Sequence, residues 1–564
     1  MATIEPIRSG ADETIADYRD GIALSAALAL DRRAMLESLQ RMVETATEQP
    51  RAVLEVSGDL LRELVGIAFG NSNIEPAPKD TRFKDDAWRD NPVYRRLGQA
   101  YLAWGRSLDA WLARSNFNRL DRERSRFMLD IIKDLAAPMN TLPGNPQALR
   151  KAWETRGQSL ANGLRNFFDD QRHNHGYPAV ADRNGFRIGV DVAASPGAVV
   201  FRNELFELIQ YRPNTPSVHP IPLLYVFSQV NRFYLGDLTP DRSLFQQLLD
   251  RGIQVFAVSW RNPTDAQRDW GLDTYADGVI QAIAVTREIS RAPRVNLIGV
   301  CAGGLTTAVA AGVLAARGDD WLSSLSLFIN ILDNRPGDSD FGLFVSERSV
   351  AAQKARVSSE GIFDEKNVFE MFAWLRPEEN VMAFFRSNYL LGEDPIKHPL
   401  LFWSMDYTRL PAGLYSDFLD LSYANKLAKG EARALGNRID LKDVRCDVYL
   451  MAGSTDHITP WVGCYRSTQL FGGNIDFVLT NQNHTQTISA RGDNKHLKHW
   501  MADTLPPTAD GWIRVAKEYP GDWRGHWFDW LDQRAGNRVP APTSFGSNLY
   551  PELDAAPGRY VVEK

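Results

Sequence analysis

The sequence predicts an α/β protein: a mostly parallel sheet with helices on both faces, preceded by a helical domain. Three features of the 564-residue chain support this prediction. Its first 170 residues or so follow helical periodicity, the remainder alternates between short β-rich runs and helical stretches, and several β-rich runs are apolar throughout. Continuous apolar strands separated by helices are typical of a sheet that is buried on both faces.

The helical domain is predicted to cover residues 1–185. Asn91-Pro92 has the residue types of a helix start, and Ser115-Asn116 those of a helix end. Between them, apolar residues recur in steps of four and three, which places them on one helix face: Leu97, Tyr101, Trp104, Leu108 and Trp111.

Residues 186–564 are predicted to form the catalytic domain. Eight runs have the length and composition of strands: 198–201, 206–211, 222–227, 255–260, 295–300, 325–332, 446–452 and 475–480. Helical patterns lie between several of them, at 243–250, 275–290 and 305–317. An aromatic-rich insertion at about 335–440 is expected to form a cap or lid that excludes water, or else an ordinary packed subdomain. Trp523, Trp527 and Trp530 are expected to pack through a helix.

Composition excludes several classes of function. The formal net charge is -6, and no basic block suggests a nucleic-acid partner. Three cysteines, none in a CxxC pair, argue against a disulfide framework and a zinc site, so we expect a cytoplasmic protein. Residues 1–17 lack the apolar core of a signal peptide, and no apolar run reaches the ~18 residues of a membrane span.

The stretch around Cys301 is the most informative. A predicted strand leads directly into Gly299-x-Cys301-x-Gly303, and a helix rich in small residues follows. This is the nucleophile-elbow pattern of the α/β-hydrolase fold, with cysteine in the serine position. Glycines flank the nucleophile because the turn is tight, and the helix N-terminus favours a thiolate and a nearby oxyanion. A buried structural cysteine in a glycine turn is the alternative.

The acid and the base follow in the order that this fold requires. Asp456 lies in the loop after the strand 446–452, and His484 lies in the loop after the strand 475–480. We therefore expect Cys301 as nucleophile, His484 as base and Asp456 as the acid that orients the histidine.

Other residues compete for these roles. Asp333, after the strand 325–332, occupies a position that some hydrolase-fold enzymes use for the acid. His457 adjoins Asp456 and is expected to have a supporting role in the loop. His496 and His499 are expected to face solvent in a Lys-rich helical stretch. No metal site is expected, because no cluster has metal-ligand spacing.

A cysteine nucleophile favours thioester substrates. Capture of an acyl group from a thioester such as acyl-CoA forms another thioester, so the step is nearly isoenergetic and reversible. The oxyanion is expected to bind the backbone N–H of Ala302 and a second N–H from the loop 229–232, at Asn231.

The sequence resembles the polyhydroxyalkanoate synthases, or poly(3-hydroxyalkanoate) polymerases, and most of all the single-subunit, medium-chain-length class of pseudomonads. The likeness runs from about residue 80 through seven segments besides the Cys301 elbow: PVYRR (92–96), GAVVFRN (197–203), ELIQY (207–211), NRFY (231–234), SWRNPT (259–264), WGLDTY (270–275) and DHITP (456–460). One departure lies at the base: the family usually has Ser-Gly-His-Ile-Gln where this chain has Gln-Asn-His484-Thr-Gln.

The resemblance implies polymerisation of (R)-3-hydroxyacyl-CoA to a polyester with release of CoA and without a cofactor. It implies a homodimer at the surface of storage granules, with phasin-type granule proteins as further partners. It also maps the family's nucleophile, acid and base onto Cys301, Asp456 and His484. The alternatives are a thioesterase or polyester hydrolase with the same three residues, and a non-catalytic granule-coat protein.

Overall fold

The computed structural model of the chain describes residues 32–335, 342–491 and 494–564. Our prediction that residues 1–17 are not a signal peptide lies outside the described residues. The chain forms two compact units. One consists of Arg183–Val368 and His398–Lys564, and the other combines the described residues up to Asp182 with Phe369–Lys397. The domain bounds expected from the sequence stay a prediction.

The second unit is helical. Its helices are Arg32–Glu48, Pro50–Ala68, Ala87–Asp90, Pro92–Arg114, Arg119–Leu135, Pro146–Glu154 and Gln158–His173, followed by π-helical turns at Glu378–Met382 and Arg386–Leu390 on either side of Ala383–Phe385. The predicted start and end of the helix Pro92–Arg114 are confirmed. The side chain of Asn91 accepts a hydrogen bond from the N–H of Val93 at 2.9 Å, and Ser115 ends the helix. An asparagine cap followed by proline satisfies the first free N–H groups.

The first unit is built on a sheet that, among the described residues, has eleven strands. In chain order they are β1 (Gly197–Arg202), β2 (Phe206–Tyr211), β3 (Leu223–Val226), β4 (Val255–Trp260), β5 (Val295–Val300), β6 (Leu322–Phe328), β7 (Asp447–Gly453), β8 (Ile475–Thr480), β9 (Lys498–Met501), β10 (Lys517–Pro520) and β11 (Asp554–Ala555). Short two-stranded pairs join Ser217–Val218 to Val539–Pro540, Ile362–Phe363 to Leu410–Pro411, and Arg433–Ala434 to Asn437–Arg438.

Six central strands are parallel and the edges are antiparallel. The order across the sheet is β10-β9-β8-β7-β6-β5-β3-β4-β2-β1-β11, with the parallel part from β8 to β4. Every residue of β4 and β5 is buried, so both faces of the sheet are covered. The covering and connecting helices are Leu244–Asp250, Leu272–Ser290, Ala302–Arg317, Glu347–Glu360, Pro399–Ser404, Ala412–Tyr423, Trp461–Ser467, Gln486–Ser489, Ala509–Val515 and Arg524–Asp532, and the helix Glu365–Ala373 begins in this unit and ends in the other. This is the α/β-hydrolase fold that the sequence predicted.

Two local predictions were wrong. β6 ends at Phe328 rather than at residue 332, because Ile329 has a positive φ of 47° and turns the chain while the next residues stay buried. The stretch around His499 is the strand β9, second from the edge of the sheet, instead of a helix, and His499 is buried rather than exposed to solvent.

The C-terminal tryptophan prediction is confirmed. Trp523, Trp527 and Trp530 are buried around the helix Arg524–Asp532. Among the residues that the structure describes, none of the helices combines the length and the apolar character needed to cross a membrane.

Candidate active site

Cys301 lies at a strained bend between β5 and the helix Ala302–Arg317. Its φ of 54° and ψ of -131° lie outside the regions that non-glycine residues favour. Such a conformation costs on the order of 1–3 kcal/mol and persists only where the surrounding structure enforces it. The bend lifts the sulfur above the carboxyl end of a buried strand, as in a nucleophile elbow.

The glycines on both sides are required by close backbone approaches. A Cβ on Gly303 would lie 2.5 Å from the carbonyl carbon of Phe227, and a Cβ on Gly299 would lie 2.8 Å from the Cα of Gly304. Real Cβ atoms do not tolerate such contacts with backbone. The Gly-x-Cys-x-Gly spacing is therefore explained by the packing of the turn against the end of β3 and the start of the helix.

The structure brings together the three residues that the sequence selected. The Nε2 atom of His484 lies 3.3 Å from Sγ of Cys301, and its Nδ1 atom lies 2.7 Å from Oδ2 of Asp456. The three side chains follow β5, β8 and β7, whose carboxyl ends lie at the same edge of the parallel sheet. The sulfur is thus within proton-transfer reach of an imidazole that a carboxylate orients.

Asp456 is fixed by four hydrogen bonds. Its Oδ1 accepts from the N–H groups of Ile458 at 2.8 Å and Thr459 at 2.9 Å. Its Oδ2 accepts from Oγ1 of Thr459 at 2.7 Å and faces Nδ1 of His484. Burial opposes ionisation, but the imidazole and these donors outweigh it and lower the pKa of Asp456.

Thr459 is a site residue that sequence reasoning did not single out. Its hydroxyl also lies 3.3 Å from Nδ1 of His484, so it contacts both members of the acid–base pair. The signal was present: an aspartate followed three residues later by threonine in a loop is typical of a side chain that caps its own turn.

His484 is electrostatically tuned to carry a charge. Burial disfavours the imidazolium, but the charges of Asp456 and Cys301 and their hydrogen bonds outweigh burial and raise the pKa of His484 to about 10. The side chain is only 11% exposed. This arrangement can keep a proton on the imidazole while negative charge develops on the sulfur.

Asp333, the rival acid, and His499 have other partners. Asp333 accepts a hydrogen bond from Nδ2 of Asn425 at 2.8 Å and lies 3.6 Å from Nε of Arg466. Its negative charge is therefore balanced by Arg466 and not by the imidazole of His484. The ring of His499 lies 3.1 Å from the carbonyl oxygen of Gly521.

The loop that follows β3 lies beside the elbow. Val226 pairs with Gly299 in the sheet, and Nε2 of Gln229 donates to Oγ1 of Thr306 at 3.1 Å, on the helix that begins at Ala302. The first N–H groups of a helix have no partner within it, which leaves the N–H of Ala302 free of intrahelical bonds. In the same loop, Nδ2 of Asn231 is buried without a hydrogen-bond partner among the described residues.

Sequence comparison identifies the family. Residues 79–248 match the family described as "Poly-beta-hydroxybutyrate polymerase (PhaC) N-terminus". The chain is also 38% identical over 544 residues to poly(3-hydroxyalkanoate) polymerase 1 of Ectopseudomonas oleovorans, which covers 96% of this chain and 97% of that protein. The chain belongs to the poly(3-hydroxyalkanoate) polymerase family. The resemblance stated from the motifs is confirmed, and the protein is an enzyme of the acyltransferase type.

A more distant relative covers nearly as much of the chain. The poly(3-hydroxyalkanoate) polymerase subunit PhaC of Cupriavidus necator is 35% identical over 510 residues, or 88% of this chain and 85% of that protein. Among solved structures, a hydrolase from Pseudomonas aeruginosa aligns with 50% of this chain and 90% of its own, at 16% identity and a TM-score of 0.30. A monoacylglycerol lipase from Paleococcus ferrophilus gives the same coverage and identity with a TM-score of 0.31. These structural likenesses concern the fold alone.

Proposed function

We propose that this protein polymerises (R)-3-hydroxyacyl-CoA into a polyester through a covalent thioester on Cys301, with release of CoA. The observation that supports the mechanism is the 3.3 Å approach of Nε2 of His484 to Sγ of Cys301, at the bend after β5. Membership of the polymerase family supports the choice of substrate and product.

In the first step, His484 takes the thiol proton and the sulfur of Cys301 attacks the carbonyl carbon of the acyl-CoA. A carbon–sulfur bond to the enzyme forms, the carbon–sulfur bond to CoA breaks, and the departing CoA sulfur takes the proton from the imidazolium. Asp456 stabilises the imidazolium and keeps its Nε2 directed at the sulfur. Exchange of one thioester for another needs no cofactor.

In the second step, the 3-hydroxyl of another 3-hydroxyacyl-CoA attacks the thioester on Cys301, and the lengthened acyl-CoA then returns to the enzyme sulfur by the first step. An ester bond forms, the bond to the enzyme sulfur breaks, and His484 carries the hydroxyl proton to that sulfur. Asp456 assists by holding the imidazole in its accepting orientation. Repetition extends the polyester by one unit for each CoA released.

The negative oxygen of each tetrahedral intermediate is proposed to bind the backbone N–H of Ala302 and that of Asn231. The loop bearing Asn231 lies against the elbow, which supports this assignment. The side-chain Nδ2 of Asn231, which has no hydrogen-bond partner among the described residues, is a further donor in the same loop. A donor that is held in place before the reaction stabilises the developing charge, and each such donor raises the rate by about 10²- to 10³-fold.

The setting is part of the proposal. We infer that the enzyme works in the cytoplasm as a homodimer at the surface of polyester granules, where phasin-type proteins are its neighbours. Its helical N-terminal region and its aromatic insertion are proposed as the separate domain and the cap expected from the sequence.

The test is incubation of the purified chain with a panel of (R)-3-hydroxyacyl-CoA lengths. CoA release, polymer formation and the mass of the Cys301 peptide would be measured together. We expect an acyl adduct on Cys301 and insoluble polyester. Release of CoA with only soluble 3-hydroxy acid would replace the proposal by its hydrolase alternative, and polymer formation by Cys301→Ala would indicate a non-catalytic role.

A further inference from the structure

A buried arginine lies in the loop beside the elbow. Arg232 is 6% exposed and directly follows Asn231. Its Nη1 donates to the carbonyl oxygen of Tyr560 at 2.7 Å, and its Nη2 donates to the carbonyl oxygen of Glu563. Its Nε lies 3.5 Å from Oδ1 of Asp406. Two of its three partners are therefore main-chain oxygens of one segment, Tyr560–Glu563, more than 300 residues away.

That segment is itself firmly anchored. The N–H groups of Arg559 and Tyr560 both donate to Oε2 of Glu207 at 2.9 Å, and the Glu207 side chain is fully buried. Val561 is 1% exposed and belongs to the main hydrophobic core. Nη2 of Arg261 lies 3.1 Å from Oε1 of Glu563. The carbonyl oxygens that receive Arg232 are thus held by β2, through Glu207, and by Arg261, the residue after β4.

A second segment fixes the other side of the same loop. The indole Nε1 of Trp403 donates to the carbonyl oxygen of Arg232 at 2.8 Å, and the N–H of Thr408 donates to the carbonyl oxygen of Val230 at 3.0 Å. Oγ1 of Thr408 donates to the carbonyl oxygen of Gln229 at 2.7 Å. Main-chain groups on both sides of Asn231 are therefore bonded, while the guanidinium of Arg232 links the loop to Tyr560–Glu563.

Removing the acceptors of a buried guanidinium is strongly destabilising, because an uncompensated charge would remain inside the protein. The carbonyl oxygens of Tyr560 and Glu563 therefore fix the position of the loop that bears Arg232. Displacement of an oxyanion donor by about 1 Å lowers the rate by roughly 10²-fold, since the donor must meet the charge where it develops.

We infer that Arg232 is a positioning residue for the oxyanion side of the site, and that Tyr560–Glu563 is the anchor on which it fixes the loop at Asn231. This inference rests on the proposed function of that loop. It assigns to a segment distant from Cys301 in sequence a role in acyl transfer, separate from the generation of the thiolate.

The test compares two reactions of Cys301. Alkylation by iodoacetamide requires the thiolate but no oxyanion donor, whereas acylation by p-nitrophenyl acetate, followed as the burst of nitrophenolate, requires both. For Arg232→Met we expect alkylation within about twofold of wild type and acylation slower by roughly tenfold or more. Arg232→Lys should recover part of the acylation rate, because an ammonium can reach only some of the three acceptors.

Arg534→Met is the matched control. Arg534 also binds a carbonyl oxygen, that of Trp530 at 2.7 Å, and a carboxylate, that of Asp447 at 2.7 Å. Asp447 begins β7, at the sheet edge opposite the site. This control should leave the ratio of acylation to alkylation unchanged.

A chain shortened to end at Arg559 should resemble Arg232→Met, and combining the two changes should add little, since both remove one link. The inference is overturned if acylation by Arg232→Met stays at the wild-type rate, or if alkylation falls in proportion to acylation. Absence of polymer formation by the wild-type chain would refute the proposed function alone, because neither reagent involves a hydroxyacyl-CoA.

Discussion

Two cysteines are connected to the same threonine, Cys464 directly and Cys301 through His484, and their surroundings differ. Cys301 sits at a bend before a helix, with the imidazole of His484 at 3.3 Å from its sulfur. Cys464 lies inside the helix Trp461–Ser467, is 1% exposed, and donates to the carbonyl oxygen of Thr459 at 3.4 Å. Burial, followed by the nearby charge of Asp456, raises the pKa of the Cys464 thiol.

This contrast indicates that the position of a thiol relative to a helix decides whether it is suited to nucleophilic attack. A residue before the first turn faces free N–H groups, whereas a residue within the helix faces carbonyl oxygens that stabilise only the protonated thiol. Cys301 is partly exposed and has an imidazole nitrogen 3.3 Å from its sulfur. Cys464 has a hydrogen-bond acceptor and packing.

The sharpest test of this comparison is removal of each sulfur. For Cys301→Ala we expect CoA release to fall by roughly 10⁶-fold, because no nucleophile remains for the covalent step. Cys301→Ser should retain the fold and lose most turnover, since a hydroxyl is far less ionised beside the same imidazole. CoA release with a 3-hydroxyacyl-CoA substrate measures both. Activity of Cys301→Ala close to wild type would remove the distinction between the two cysteines.

Asp456, the proposed acid, should have the next largest effect. Asp456→Asn keeps the shape of the side chain but removes the charge that favours the imidazolium and fixes its tautomer, so we expect kcat to fall by about 10⁴-fold. Asp333→Asn serves as the matched control, because Asp333 binds Asn425 and lies near Arg466 instead. A larger loss for the control than for Asp456→Asn would reassign the acid.

Much of this site follows from local sequence. The bounds of β2, β4, β5 and β8 agree with the predicted runs, because each is an uninterrupted segment between turn-forming residues. The order of nucleophile, acid and base then places three side chains at one sheet edge without knowledge of any distance. Chain order and strand periodicity can both be read from the sequence without knowledge of tertiary contacts, and this part of the site depends on them alone.

The parts that the sequence did not predict depend on distant partners. The strand β9 pairs with β8 and β10, and its short Lys- and His-containing pattern has no period that separates strand from helix. β6 was extended too far because buried residues continue beyond Ile329, where the chain turns. The anchoring of Arg232 by Tyr560–Glu563 joins residues that no local pattern relates.

The charge on His484 predicts how stability depends on pH. Its pKa is raised to about 10, so the stabilisation from the imidazolium is complete below its unfolded value of about 6.5 and is lost as pH rises through about 10. The pKa of Asp456 is lowered, so the stabilisation that its carboxylate contributes is complete above its unfolded value of about 4 and is lost at lower pH. The difference in melting temperature between wild type and His484→Gln should therefore be largest between about pH 4 and about pH 6.5, and it should shrink as the pH rises toward about 10. A difference that grows with alkaline pH would contradict the assigned charge.

The smallest effect is expected at the second cysteine. Cys464→Ala leaves the three-residue site intact, so CoA release should stay within about twofold of wild type. It also removes a buried sulfur and leaves a small cavity, which should lower the free energy of unfolding by about 1 kcal/mol. Cys464→Ser fills that space with a smaller donor that can still reach the carbonyl oxygen of Thr459, and should retain similar activity. If activity fell strongly while the melting temperature stayed near that of wild type, Cys464 would have a chemical role through Thr459 and Asp456, and the two cysteines would belong to one working unit.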